Sequence, residues 1–185
     1  MVFVASGRYL DPHGTMRALD AVTGNVIWTF ETASMIAGSP VVHEGLIYFG
    51  SDAVNPWFGE GGSLFAVDIS SGKLRWERSV AGNHRSPPVV DGNTIYQATD
   101  GGYLYARDPA SGQIKWQSAI GGGIHWPAAA ANGLVFVDVF ETGNLLAIDT
   151  TTGQERWRIS SGGLPPASRG VAVSAGVVHL FYPGA

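Results

Sequence analysis

The stretch ARDPASGQIKW, residues 106–116, decides the fold because it returns three more times in a chain of 185 residues. Residues 18–28 read ALDAVTGNVIW, residues 66–76 read AVDISSGKLRW, and residues 147–157 read AIDTTTGQERW. All four copies fit A-x-D-x-x-[ST]-G-x-x-x-W without a gap, and their tryptophans follow one another at intervals of 48, 40 and 41 residues. Self-similarity at such a period is typical of a repeat protein.

The composition excludes several classes of function. A net charge of −4 and only two lysines leave no basic stripe for nucleic acid. Cysteine is absent, which excludes disulfides, thiolate metal sites and cysteine nucleophiles. The opening residues MVFVASGRYL do not fit a signal peptide, and no apolar run has the length of a membrane span.

Each repeat predicts four short strands separated by tight turns. In the third repeat these are PPVVDG, NTIYQAT, YLYARD and QIKWQSA, with the first turn at Asp91-Gly92. Four strands per period of this length are typical of a β-propeller blade. We therefore predict an all-β fold, one partial β-propeller over residues 1–185, with three complete blades and a partial blade at each end. The approximate blade boundaries are 1–32, 33–80, 81–120, 121–161 and 162–185.

The motif itself predicts a structural role. The Asp opens the turn between the third and fourth strands and accepts backbone N–H groups there, while the Gly supplies backbone freedom. The Trp on the fourth strand is expected to pack against the corresponding turn of the neighbouring blade. The residues assigned to this role are Asp20, Gly24, Trp28, Asp68, Gly72, Trp76, Asp108, Gly112, Trp116, Asp149, Gly153 and Trp157.

The pattern resembles the tryptophan-docking motif of the pyrroloquinoline-quinone (PQQ) repeat β-propellers, a superfamily that includes quinoprotein alcohol dehydrogenases and BamB-like proteins. The resemblance implies a periplasmic or other extracytoplasmic location. Propellers close with about four to eight blades, so the chain is expected to be an arc or fragment of a larger one. Missing blades or self-association would then complete it.

The loops joining the fourth strand to the first, and the second to the third, share the face on which propeller ligands bind. Two of the second-to-third loops are enlarged, Gly7–Gly14 and Asp52–Gly62. Long loops on a rigid scaffold often carry binding residues; the alternative is that they merely cap the blades. The loop candidates are Arg8, Tyr9, Asp11, His13, Trp57 and Glu60.

Cationic and aromatic residues also gather in the fourth-to-first loops. The predicted cluster is His84, Arg85, His125, Trp126 and Arg169, with Trp57 from the enlarged loop. Trp could stack on an aromatic ligand and Arg could pair with carboxylates, a combination that would suit PQQ. The alternative is that these are ordinary loop residues with local hydrogen bonds.

Two functions stay open on the sequence. The first is a non-catalytic scaffold that binds a protein or a small molecule on the loop face. The second is a fragment of a PQQ- and calcium-dependent alcohol dehydrogenase-like oxidoreductase, to which GGGIHW (121–126) and SRGVA (168–172) bear a short resemblance. No catalytic residue or metal set can be assigned, because the four motif Asp residues belong to turns and Asp138 and Glu141 are only loose carboxylate candidates.

Overall fold

The computed structural model describes residues 1–7, 13–52, 61–126, 128–160 and 170–181. The chain forms two compact units, Met1–His84 and Arg85–Ala185, each with its own sheets. The described secondary structure consists of short strands joined by turns. Within these residues, no helix has the length and hydropathy needed to cross a membrane.

The strands are short and follow one another closely along the chain. In the first unit they are β1 (Val2–Gly7), β2 (Gly14–Leu19), β3 (Val26–Thr32), β4 (Ile36–His43), β5 (Leu46–Ser51), β6 (Ser63–Asp68) and β7 (Leu74–Ser79). In the second unit they are β8 (Val89–Asp91), β9 (Thr94–Ala98), β10 (Tyr103–Arg107), β11 (Ile114–Ala119), β12 (Ala129–Ala131), β13 (Leu134–Val139), β14 (Asn144–Asp149), β15 (Glu155–Ser160), β16 (Val171–Ser174) and β17 (Val177–Leu180).

Every sheet is an antiparallel meander in which each strand pairs with the next along the chain. The first unit contains the sheets β1-β2-β3 and β4-β5-β6-β7, and the second contains β8 to β11, β12 to β15 and the pair β16-β17. Three complete four-stranded blades, with three strands before them and two after, confirm the predicted all-β propeller fold. In the third blade Asp91 pairs with Thr94, so the first turn is Gly92-Asn93, one residue later than predicted.

The carboxylate of each motif Asp organises the turn that follows it. Asp20 Oδ1 accepts hydrogen bonds from the N–H groups of Val22 and Thr23 at 3.0 and 2.7 Å, and from the Thr23 hydroxyl at 2.9 Å. Gly24 donates its N–H to the Asp20 carbonyl at 2.9 Å and adopts a φ of 72°, which favours glycine. Asp68, Asp108 and Asp149 likewise accept hydrogen bonds from the N–H and the hydroxyl of the Ser or Thr three residues later.

The motif tryptophans pack on the glycine turn of the next blade within each unit. Trp28 Nε1 donates to the Ile69 carbonyl at 3.0 Å, and a Cβ placed on Gly72 would lie 2.8 Å from the indole. The glycine therefore leaves the space that the ring occupies. In the second unit, Trp116 Nε1 donates to the Thr150 carbonyl at 2.8 Å, and its indole covers Gly153 in the same way.

The alanine of the motif also has a structural role that the sequence did not predict. Ala18 lies between Trp28 and Phe3 across three neighbouring strands, and the two rings meet above it with centroids 5.9 Å apart. A small residue is needed there because a larger side chain would separate the rings. The same row recurs as Tyr48, Ala66 and Trp76, as Tyr96, Ala106 and Trp116, and as Phe136, Ala147 and Trp157, with ring separations of 5.8–5.9 Å.

A register shift follows the motif alanine in each of the four blades. The shift leaves the residue before each tryptophan without an opposite partner, as a β-bulge does. In two blades that residue is an arginine that reaches back to the motif Asp. Arg75 lies 2.9 Å from Asp68 and Arg156 lies 2.7 Å from Asp149, so the bulge helps to fix the turn.

Candidate functional site

A cleft of about 490 Å³ lies in the second unit, among the loops that the sequence assigns to the binding face. The second-to-third loop of the third blade forms one wall, the loop after β11 forms the floor, and Glu141 closes the far side. The residues that line it are Asp100, Gly101, Gly102, Tyr103, Ala119, Gly121, Gly122, Gly123 and Glu141. Five of these nine are glycines, so much of the lining is bare peptide backbone.

Arg85, one of the predicted ligand-binding residues, forms an ion pair in this region. Its Nε lies 3.2 Å from Asp100 Oδ2, and its side chain is 46% exposed whereas that of Asp100 is 18% exposed. Asp100 belongs to the short DGG loop, for which the sequence predicts only a tight turn. Because the guanidinium is balanced by a carboxylate, it adds little net positive charge to the cleft.

Glu141 ties the floor of the cleft to the fourth blade. Its Oε2 accepts a hydrogen bond from the Gly123 N–H at 2.6 Å, and Phe140 donates its N–H to the Gly123 carbonyl at 3.0 Å. A Cβ on Gly122 would lie 2.5 Å from a methyl group of Val139 and 2.8 Å from Glu141 Oε2. The glycine run therefore allows the loop to lie directly on the next blade.

His125 and Trp126 stand beside the cleft in the same loop. The imidazole of His125 stacks on Phe140, with centroids 4.5 Å apart and planes inclined by 22°. Ser86 donates its hydroxyl hydrogen to the Trp126 carbonyl at 2.8 Å. The buried Nε1 of Trp126 has no acceptor among the described residues. The stacking of His125 and the hydrogen bond to the Trp126 carbonyl therefore hold this loop in place.

His84 ends the first unit and is fully buried there. Its ring lies against Gly50, in space that a side chain at that position would fill. Since no part of His84 is exposed, its imidazole serves packing within the unit.

A second cleft, of about 290 Å³, lies in the first unit. Its lining includes Glu31, Asp52 and Glu77.

The remaining predicted residues are distributed as follows. His13 is exposed and lies directly before β2. Six others lie outside the described residues, namely Arg8, Tyr9, Asp11, Trp57, Glu60 and Arg169. Their assignment to a ligand site stays a prediction.

The motif aspartates are held as carboxylates by their turns. The side-chain hydrogen bond from Arg156, together with the N–H of Thr152, lowers the pKa of Asp149 well below its usual range. For Asp68 the hydroxyl of Ser70 and the guanidinium of Arg75 lower the pKa in the same direction. Carboxyl groups with such low pKa values are poor proton acceptors at neutral pH, so Asp68 and Asp149 serve structure.

The described part of the loop face does not fit PQQ and calcium. PQQ is an anion that needs cationic partners, but the described charges at the cleft are two carboxylates, Asp100 and Glu141, against one guanidinium, Arg85. Over residues 1–7, 13–52, 61–126, 128–160 and 170–181, no group of three His, Asp or Glu side chains is placed to hold a metal ion.

Comparison with curated proteins finds two relatives of very different size and role. One is the "Outer membrane protein assembly factor BamB" of Nitrosomonas eutropha, 32% identical over 89 residues, which are 48% of this chain and 20% of that protein. The other is the "Serine/threonine-protein kinase AfsK" of Streptomyces griseus, 29% identical over 178 residues, which are 93% of this chain and 16% of the kinase. The chain thus spans about a fifth or less of the length of either relative.

Solved structures show the same fold. BamB from Moraxella catarrhalis superposes with a TM-score of 0.64 at 22% identity, over 79% of this chain and 42% of that one. A europium-containing methanol dehydrogenase superposes with a TM-score of 0.58 at 18% identity, over 72% of this chain and 26% of the enzyme. The model of the family described as "Outer membrane protein assembly factor BamB" matches residues 1–87 and 83–182. The chain therefore belongs to this BamB-like family of PQQ-repeat β-propellers.

Proposed function

We propose that this chain is a non-catalytic binding scaffold whose cleft in the second unit receives a segment of a partner polypeptide. The observation that carries the proposal is that the described polar side chains around the cleft are tied to neighbouring loops of the second unit. Arg85 holds Asp100, Glu141 holds Gly123, and His125 lies on Phe140. Such contacts make a rigid cleft, and rigid loops on a stable scaffold favour binding.

The chemistry of the cleft favours a cationic segment with little bulk. Its volume of about 490 Å³ is in the range of small-ligand pockets and admits one or two side chains of a peptide. Asp100 and Glu141 outnumber the one neighbouring guanidinium, so a lysine or arginine of the partner gains favourable electrostatics. The glycine-rich floor lets a peptide backbone approach closely.

The names of the curated relatives give no support to a quinone-dependent activity. Similar repeats occur in an assembly factor and in a protein kinase, neither of which is named as a quinone-dependent enzyme. The likeness to methanol dehydrogenase concerns the fold alone. The dehydrogenase alternative would need its cofactor residues outside the described part of the chain.

Peptide binding tests the proposal directly. We expect a fluorescein-labelled peptide of four Gly-Lys units to raise its fluorescence anisotropy on titration with the protein, and a Gly-Glu peptide of equal length to show no change. Glu141→Gln should weaken the Gly-Lys peptide several-fold, because it removes one charge and leaves an oxygen for the Gly123 N–H. Glu44→Gln is the matched control, since Glu44 is an exposed carboxylate of the first unit. Equal binding of both peptides, or no effect of Glu141→Gln, would contradict the proposal.

A separate titration addresses the dehydrogenase alternative. The protein is mixed with PQQ and Ca²⁺ while quinone absorbance and alcohol-dependent dye reduction are followed. We expect neither a saturable spectral change nor turnover. Saturable binding with turnover would replace the scaffold assignment by that of an oxidoreductase.

We further propose that the chain works outside the cytoplasm, as the description of its family suggests. The test is to tag the natural gene product at its C-terminus and to compare periplasmic and cytoplasmic fractions. Tag found only in the cytoplasmic fraction would overturn this location.

A further inference from the structure

The second cleft, of about 290 Å³, lies between the first and second blades. The end of β3 forms one side of it, and residues of β5, β6 and β7 form the other. The described lining lies wholly within Met1–His84, so the cleft belongs to one compact unit. Small-molecule pockets usually have volumes of about 300–1,000 Å³. A cleft of this size therefore suits a ligand of few atoms.

The floor of the cleft is aromatic. Phe30 and Phe65 line it, with ring centroids 5.8 Å apart and planes inclined by 65°. Phe49 packs on both rings, at 5.9 Å from Phe30 and 5.4 Å from Phe65. Because the three rings support one another, the floor is preorganised. Aromatic faces of this kind bind alkyl chains and attract cations.

Ser51 presents a hydroxyl group to one end of this floor. Successive residues of a strand point to opposite faces of the sheet, so Ser51 projects from the same face of β5 as Phe49. Ser51 is 3% exposed and lines the cleft, and its hydroxyl group makes no hydrogen bond with a described residue. An enclosed hydroxyl group can donate to a ligand or accept from it. The position of Ser51 therefore points to a polar group of a ligand.

Glu77 places a carboxylate at the other end of the floor. It lies opposite Phe65 across β6 and β7, so both side chains project from one face of the sheet. The Glu77 carboxylate makes no ion pair with a described residue. Glu31 and Asp52 also line the cleft, and its described lining includes no Lys, Arg or His. The resulting negative potential favours a cationic ligand.

The fourth blade shows that the fold does not require these groups. Val139 occupies the position of Ser51 and is buried there. Arg158 occupies the position of Glu77 and forms an ion pair with Glu155 at 2.7 Å. The enclosed hydroxyl group and the unpaired carboxylate are thus particular to the second blade, as expected of residues that bind a ligand.

We propose that this cleft binds a short linear diamine with an ammonium group at each end. One ammonium group binds the Glu77 carboxylate and the other donates to the Ser51 hydroxyl group, while the alkyl chain lies on Phe65. A lysine side chain of a protein partner has one ammonium group and would leave the Ser51 hydroxyl group unused. The peptide cleft belongs to the second unit, so the two assignments are tested independently.

The strand register sets the length of the diamine. Two strand spacings of about 4.8 Å and two residue steps of about 3.3 Å separate the Cα atoms of Ser51 and Glu77 by roughly 12 Å. A hydrogen bond of about 2.9 Å at each end leaves roughly 6 Å for the ligand, which matches a chain of about four or five carbons.

Nuclear magnetic resonance tests the class of ligand. The ¹⁵N-labelled protein is titrated with 1,5-diaminopentane, for which we expect a Kd of about 1 mM and saturable shifts of the amide signals of Ser51, Ser63 and Glu77. Pentylammonium should bind at least about fivefold more weakly, because it lacks the second ammonium group. The diol and the dicarboxylate of equal length, 1,5-pentanediol and glutarate, should cause no saturable shifts. If pentylammonium or the diol bound as tightly as the diamine, or if the diamine caused no saturable shifts at these residues, the proposal would be overturned.

Two substitutions test the two ends of the site. Glu77→Gln removes the charge and keeps the shape, so it should weaken diamine binding by about tenfold. Ser51→Ala removes the hydroxyl group and should weaken binding several-fold. Ser39→Ala and Glu44→Gln are the matched controls, because both residues are exposed in the same unit and lie outside the lining of the cleft. The amide spectra also report whether each variant keeps the fold. Full affinity in Glu77→Gln and Ser51→Ala, or an equal loss in the controls, would show that the assignment is wrong.

Discussion

Replacing Trp116 by alanine should destabilise the second unit strongly. The indole donates to the Thr150 carbonyl at 2.8 Å, covers Gly153, and stacks on Tyr96 at 5.9 Å. Truncation of a buried Trp costs about 3–5 kcal/mol. Because Trp116 is only partly buried, we expect a loss near the lower end of that range.

Urea denaturation followed by far-ultraviolet circular dichroism measures this loss without relying on tryptophan fluorescence. With a slope of about 1–3 kcal/mol per M, a loss of about 3 kcal/mol lowers the midpoint by at least about 1 M. Trp116→Phe keeps an aromatic ring but removes the N–H donor. It should cost about 1 kcal/mol for the lost hydrogen bond, plus a smaller loss of packing. Ile114→Ala, on the exposed side of the same strand, should change the free energy of unfolding by less than about 0.5 kcal/mol. A Trp116→Ala protein as stable as Ile114→Ala would refute the role assigned to the motif.

Two further predictions concern the turn that receives this indole. Gly153→Ala should lower the free energy of unfolding, measured by urea denaturation, by at least about 1 kcal/mol more than Gly133→Ala. Both glycines have a positive φ, but only Gly153 lies under Trp116. Equal losses in the two variants would contradict this packing. The pKa of Asp149 is lowered in the folded chain, chiefly by Arg156, so its stabilisation is present above the ordinary pKa and declines as the pH falls below about 4. Thermal unfolding from pH 7 to pH 3 should therefore show a shallower loss for Asp149→Asn than for the unaltered chain, and parallel curves would exclude the linkage.

The sequence predicted the fold because the blade is a local unit that repeats. Turn chemistry and alternating strands are set within about ten residues, so the motif turns and the four-stranded sheets follow from pattern alone. The row of aromatic, alanine and tryptophan was missed although its signal was present. Phe3, Tyr48, Tyr96 and Phe136 occupy one position in their repeats, but the motif was defined on only two of the strands that form the row.

The candidate site was less predictable because its contacts join different loops. Arg85 was predicted to bind a ligand, yet in the structure it pairs with Asp100. Asp100 belongs to the short DGG loop, which the sequence predicted only as a tight turn. His84 was expected in the same cluster and is buried, because Gly50 leaves room for its ring. Position within a loop indicates the face of a blade, whereas the direction of each side chain depends on neighbours distant in sequence.

The structural motif and the cleft lie at opposite ends of the same strand, so their effects should separate. Strand β14 runs from Asn144, near Glu141, to Asp149 in the motif turn, five residue steps of about 3.3 Å, or roughly 17 Å. That distance exceeds the Debye length of about 8–10 Å at physiological salt. Trp116→Ala, assayed below its unfolding range, should therefore lower stability while leaving the affinity for the Gly-Lys peptide unchanged. Glu141→Gln should lower the affinity for the Gly-Lys peptide while leaving the stability unchanged. If either variant lost both stability and affinity, the two ends would be coupled.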